Sequence, residues 1–303
     1  MTKRALVIVN PAARGVPTSD RLRAAAGSLA GWEVSIELTG AAGDATALAR
    51  AAARRGCDAV VACGGDGTVH EVANGLARSE SALAVVRGGT ANVWAKEARL
   101  PRDPAKALRV LADGEARTID LGRAGERYFL LMAGIGFDAA VIRAVSPAWK
   151  RRLGAASYIA HGLRQAFTYH ARPADLVVDG EPVASELYWL LLGNTRNYGG
   201  LVNLTHLARA DDGALDLCLL RRGGLPRLAW LAAWVLLRRH QRRAHVLYRG
   251  VASLEVRTPG LPVQVDGEYL GETPMRFEVA PGALRVRVPR GLRSELFGAA
   301  QAW

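Results

Sequence analysis

Two rhythms alternate along residues 1–122. RALVIVN, DAVVAC and SALAVVRGG carry short unbroken apolar runs, the mark of strands covered on both faces, and EVSIELT reads as a further strand. Between and after them, residues 20–29, 45–54 and 91–98 read as helices. In AVVACGGDGTVHEVANGLA an apolar strand ends in glycines, after which Val69, Val72, Ala73 and Leu76 recur at helical spacing. The alternation predicts a layered α/β domain with a largely parallel sheet.

Beyond about residue 120 the pattern changes to strands and turns: RYFLLMAGIGFD, ADLVVDGEPV, ELYWLLLGNT, GALDLCLLRR, ASLEVRT, PVQVDGEYLG and MRFEVAPGALRVRVP. These predict an antiparallel, β-rich second domain, a sandwich or a curved sheet, over residues 123–289. Two helical insertions are expected, at 147–168 and 226–243, and the tail 290–303 is expected to return to the first domain as a helix.

Length agrees with two domains, since 303 residues exceed a comfortable single core. The net charge of +12 rests almost wholly on Arg, with only four Lys among the 40 basic residues. Such a charge suits a nucleotide, nucleic acid or an anionic membrane surface, or is simply an Arg-rich solvated exterior. Cys57, Cys63 and Cys218 lie in or beside apolar runs without metal-ligand spacing, which fits small buried residues in a reducing, cytoplasmic setting. Residues 5–9 are too short for the apolar core of a signal peptide, and no apolar run approaches the ~18 residues that a membrane span needs.

Ligands of open parallel sheets bind at the carboxyl ends of the strands. Four predicted strand ends carry polar or glycine-rich segments: Asn10-Pro11, Thr39-Gly40, GGDGT and RGGTAN. Backbone N–H groups at a helix start lack internal partners and carry partial positive charge, so they favour an anion, typically phosphate. Asp66 brings a negative charge into the same turn. A bridging divalent cation resolves that conflict, as does a carboxylate facing an incoming hydroxyl; an aspartate that only satisfies turn N–H groups is the plainer alternative. No Walker-type P-loop lysine occurs, so Mg²⁺ has more charge to neutralise.

NPAARG, CGGDGTVHEVANGL, GGTANVWAKE, IDLG, LMAGIGFDAAV, ARADDGALDL and VQVDGE follow one another in this order. The set resembles the diacylglycerol kinase catalytic-domain superfamily, especially its soluble bacterial lipid kinases. GGDGT alone is shared with NAD kinases; the ordered set is far more specific. The resemblance implies transfer of the ATP γ-phosphate to a lipid hydroxyl, diacylglycerol-like or related, in a cleft between an α/β and a β-rich domain. It implies nucleotide contacts at Asn10, Arg14, Thr39, Gly64, Gly65, Asp66, Gly67, Thr68, Val69, His70 and Thr90. By the same likeness Asp66 organises a water–Mg²⁺ network, Glu268 is the general base and Asp138 contacts the lipid head group. Asp212, with the carbonyls of Arg209 and Ala214, would hold a structural Mg²⁺. The residues alone leave plainer roles open: Asp266-Gly267 is a common hairpin pair with Glu268 solvated beside it, and DDG and Asp138 are turn residues.

One position departs from the pattern. Bacterial diacylglycerol kinases usually place Asp after G-T-x-N, and Val93 stands there, so one carboxylate of the Mg²⁺ network is missing. Either Asp66, Asp212 and water suffice, or the substrate differs, or activity is impaired. Trp230 and Trp234 lie one helical turn apart and precede Arg238, Arg239, Arg242 and Arg243, and WKRRLG repeats that chemistry. A peripheral anchor on anionic lipid and a helix packed on its own domain both fit. The competing functions are an NAD kinase-like phosphotransferase and a non-catalytic nucleotide or anionic-lipid binding module. Nucleic acid is not an expected partner, and a second copy of the chain stays open as one.

Overall fold

The structure, a computed structural model, describes residues 2–145, 155–200, 202–242 and 245–298. The chain forms two compact units: Met1–Leu121 with Ala210–Asp212 and Ala280–Trp303, and Gly122–Arg209 with Gly213–Val279.

In the first unit β1 (Lys3–Val9), β2 (Trp32–Leu38), β3 (Ala59–Gly64) and β4 (Ala82–Arg87) pair in the order β2-β1-β3-β4, all parallel. Every residue of β3 is buried, as its unbroken apolar run requires. Among the described residues five helices accompany the sheet: α1 (Ser19–Gly27), α2 (Asp44–Arg54), α3 (Asp66–Leu76), α4 (Val93–Glu97) and α5 (Pro104–Asp113). Leu22 and Ala25 of α1 and Leu108 and Leu111 of α5 pack with the residues of β1, β3 and β4 that face them. α5 is absent from the pattern reading although its start is encoded: Asp103 caps it, accepting Lys106 N–H at 3.0 Å, and Pro104 follows in the first turn.

Through the second unit run β5 (Glu115–Ala124, whose last three residues belong here), β6 (Arg127–Phe129), β7 (Met132–Gly136), α6 (Phe137–Ala144), α7 (Ala155–Thr168), β8 (Arg172–Val178), β9 (Glu181–Leu187), β10 (Trp189–Gly193), β11 (Leu215–Leu220), α8 (Leu225–Leu236), β12 (Val246–Val251), β13 (Ser253–Val256), β14 (Pro262–Val265) and β15 (Glu268–Glu272). The last strand, β16 (Met275–Val288), contributes its first residues to this unit. One antiparallel sheet runs β16-β13-β8-β9 and the other β12-β11-β10-β7-β14-β15. Ala133, Ile135, Leu190, Leu192, Val263 and Val265 of the second sheet pack with Leu176, Val178, Leu254 and Phe277 of the first. This is a β-sandwich, and the core positions recur with period two along each strand.

The alternation has a consequence for function. Gly134, Gly136 and Gln264 lie on the opposite face of their strands from that core, where α6 packs.

Some expectations are corrected. RYFLLMAGIGFD is two short strands and the start of α6, so Asp138 sits in a helix and not a turn. MRFEVAPGALRVRVP is one strand, as expected, and buried Asp120 accepts the Gly282 N–H at 2.7 Å beside its Pro281-Gly282. β12 was not read from the pattern. Residues 291–298 contain no helix. Positions 147–154 of the first insertion, with WKRRLG, lie outside the described residues, as do Arg243 and 299–303.

Candidate active site

Because β1 to β4 are parallel, their carboxyl ends share one edge. From β1 the chain steps outward to β2, then returns to the far side of β1 as β3, so the strand order reverses between β1 and β3. Ligands of such sheets bind at that crevice. Asn10 ends β1 there: its N–H donates to Cys63 O at 3.0 Å, and its Nδ2 donates to Thr68 Oγ1 at 3.1 Å. Thr39 ends β2, its N–H bound to Val9 O at 2.9 Å.

The predicted glycine turn is shorter than its sequence suggests. β3 ends at Gly64, Gly65 is the helix cap with no side-chain hydrogen bond to it, and Asp66 already belongs to α3. The turn is therefore a helix start, the kind of position that favours an anion. The Val69 N–H, in contrast, is bonded to Gly65 O at 3.1 Å, and the His70 side chain is buried. Arg14 and Thr90 are exposed.

The segment after β4 closes on this turn. Gly88 N–H donates to Gly64 O at 2.8 Å, and a Cβ on Gly89 would stand 2.5 Å from Gly65 Cα, so only glycine fits. Asn92, at φ 46, folds back to accept the Gly89 N–H at 2.9 Å. Arg87 Nη2 donates to Ala95 O at 2.7 Å, fixing α4 beside the turn. Val93 then donates its N–H to Asp66 Oδ1 at 2.6 Å while its side chain is buried. Position 93, lacking the expected carboxylate, supplies a backbone donor that orients Asp66.

In the second unit the DGE segment is the β14–β15 hairpin, with Asp266 and Gly267 at φ 47 and 85. Asp266 accepts three N–H groups, from Leu130, Leu131 and Met132, at 2.8, 2.8 and 2.9 Å. Glu268 opens β15, partly exposed, and Arg127 Nη2 holds its Oε2 at 2.5 Å.

Asp138 is 2 % exposed, in the first turn of α6. Burial pushes its carboxyl up to about 7, against the pull of Gln264 and of the Ala139 N–H, which donate to it at 3.0 and 2.8 Å. Phe137 stacks on Tyr188, ring centroids 5.0 Å apart, beside Tyr169 and Trp189. Asp212 is exposed in the short loop before β11; the candidate donors Arg209 and Ala214 flank it in sequence. Among the described residues no group of three His, Cys, Asp or Glu side chains forms a metal cluster, which does not bear on a site built from one carboxylate and carbonyls.

The edge of the first unit thus brings Asn10, Gly64–Thr68 and the 88–93 segment together, and in the second unit Gln264 joins Asp138 to the Gly267 N–H while Arg127 holds Glu268. Gln264 and Arg127 were missed. For Gln264 there was a signal: in VQV a polar residue interrupts the apolar strand that precedes DGE.

Residues 4–124 match the family model of the diacylglycerol kinase catalytic domain, and 132–288 that of the YegS C-terminal NAD kinase beta sandwich-like domain. A Pseudomonas aeruginosa protein named "Probable lipid kinase YegS-like" is 38 % identical over 278 residues, covering 89 % of this chain and 90 % of its own. The chain belongs to the diacylglycerol kinase catalytic-domain family. As a member of that family it is an enzyme, a lipid kinase. The diacylglycerol kinase of Bacillus subtilis is 31 % identical over 271 residues, covering 88 % of this chain and 89 % of its own. Among solved structures, a diacylglycerol kinase from Bacillus anthracis superposes with a TM-score of 0.75 at 25 % identity, covering 94 % of this chain and 97 % of that one.

Proposed function

We propose that this kinase moves the γ-phosphate of ATP to the hydroxyl of a diacylglycerol-like lipid, with Mg²⁺. The observation that carries the reading is the helix start at Gly65–Thr68, cradled by Asn10 and Gly89 at the point where the strand order reverses. A helix start suits phosphate, and Asn10 and Thr39 supply polar groups beside it. Asp66 and Asp212, with backbone carbonyls, form all-oxygen donor sets suited to a hard cation. Mg²⁺ there would neutralise phosphate charge that no P-loop lysine meets. Glu268 takes the proton of the acceptor hydroxyl, and Asp138 meets the head group from its apolar surroundings.

Labelled ATP supplied with a bacterial lipid extract, and separately with NAD, tests this. Label is expected in the organic phase and not on NAD. Label on NAD alone would favour the NAD kinase-like alternative, and label on neither a binding module.

The lipid acceptor lies in a membrane, so we further infer that α8 rests on anionic bilayers. Leu231 and Val235 bury one side of α8, which accounts for its packing on the domain. Trp230, Leu236 and Leu237 remain 36, 76 and 61 % exposed, followed by exposed Arg238 and Arg239, and Phe167 of α7 is 69 % exposed. No described helix is long and apolar enough to cross a membrane. Each Arg near an anionic surface contributes about 1 kcal/mol, and the attraction fades with salt. Co-sedimentation with liposomes should rise with anionic lipid, fall at high salt, and be lost when Trp230→Ala, Leu236→Ser, Leu237→Ser and Arg238→Glu are combined. Binding indifferent to all three would refute it.

A further inference from the structure

Gln264 is a buried amide with both ends engaged. It lies in β14 on the face away from the sandwich core, 1 % exposed, paired in register with Gly134 of β7. Its Nε2 donates to Asp138 Oδ2 at 3.0 Å, and its Oε1 accepts the Gly267 N–H at 2.8 Å. The two bonds fix the amide's orientation, because reversing it would set oxygen against carboxylate and N–H against N–H. Gly134 leaves the room: a Cβ there would lie 2.1 Å from Asp138 Oδ2 and 2.6 Å from Gln264 Nε2. So one side chain links the carboxyl on α6 to the residue just before Glu268.

We propose that Gln264 is a positioning residue: held at one end by Asp138, it fixes through the Gly267 N–H the backbone that carries Glu268. This rests on the reading of Glu268 as base. Asp266 anchors the same hairpin independently through the 130–132 backbone, which fixes where the turn sits. Gln264 adds what Asp266 lacks, a connection to Asp138.

Gln264→Met keeps the volume and removes both bonds. With labelled ATP and bacterial lipid extract, kcat is expected to fall on the order of 10²-fold, the scale of a misplaced reacting group, with KM for ATP unchanged. A positioning residue acts through the residue it positions, so the same substitution in a Glu268→Gln background should change kcat little. Wild-type kcat in Gln264→Met, or the same fold-loss in both backgrounds, overturns the proposal. If Gln264→Met does not fold, Gln264→Asn, too short to span both partners, is held to the same criteria. The two readings fail separately. A fully active Glu268→Gln overturns the base assignment and this proposal with it. An inactive Glu268→Gln beside an unimpaired Gln264→Met overturns this proposal alone.

Discussion

Asp66→Asn is expected to abolish lipid phosphorylation while leaving the fold intact. The carboxylate has two duties that this substitution separates. One is structural: Oδ1 accepts the Val93 N–H at 2.6 Å and so caps α4. An Asn carbonyl can keep that bond. The other is electrostatic, the negative charge proposed to order Mg²⁺ and water at the transferring phosphate, and Asn lacks it. Losing a preorganised electrostatic group of this kind costs about 10²–10³-fold in rate, and more where metal binding goes with it. Asp66→Ala removes both duties and should add about 1–3 kcal/mol of destabilisation from the unpaired Val93 N–H. Transfer assays paired with thermal melts check both variants. Near-normal turnover in Asp66→Asn would leave Asp66 as a structural acceptor only.

Glu268→Gln is expected to lower kcat by about 10²–10⁴-fold, the usual worth of general-base assistance, with ATP affinity nearly unchanged. An alcohol attacks poorly with its proton in place, and a carboxylate within hydrogen-bond reach removes that proton as the O–P bond forms. Glutamine keeps the size and can still accept from Arg127 Nη2, so the hairpin geometry should survive. The competing assignment, Asp66 taking the proton directly, predicts a much smaller loss at Glu268. Initial rates across lipid and ATP concentrations separate kcat from both KM values.

The parallel sheet was legible because its strands are buried on both faces and therefore apolar without interruption, β3 being the clearest. The phosphate-favouring turn was legible for the complementary reason: close backbone approach demands glycine, and glycine clusters stand out. α5 was less legible even though Asp103-Pro104 is a good helix start, because Leu108 and Val110 alternate about Arg109 as they would in a strand. α6 was hidden in MAGIGFDAAV, where a buried strand passes directly into a buried helix and neither period has room to show. Sequence singled out Asp138 and Glu268 as candidates but not Gln264, which joins Asp138 to the residue before Glu268. Gln264 and Gly134 face each other across strands that are distant in the chain, and only register brings them under the same helix. Val93 shows the limit from the other side. Its side chain suggested a gap in the acidic network, whereas its backbone is what touches Asp66.

The most direct test of ATP-dependent lipid phosphorylation at these residues is kcat measured together with ATP binding for wild type, Asp66→Asn and Glu268→Gln, using labelled ATP and bacterial lipid extract. Wild type should place label in the lipid phase, and Glu268→Gln should bind ATP normally yet transfer it about 10²–10⁴-fold more slowly. Asp66→Asn should transfer none. Lipid labelling by all three proteins at similar rates, or by none of them, would contradict the account.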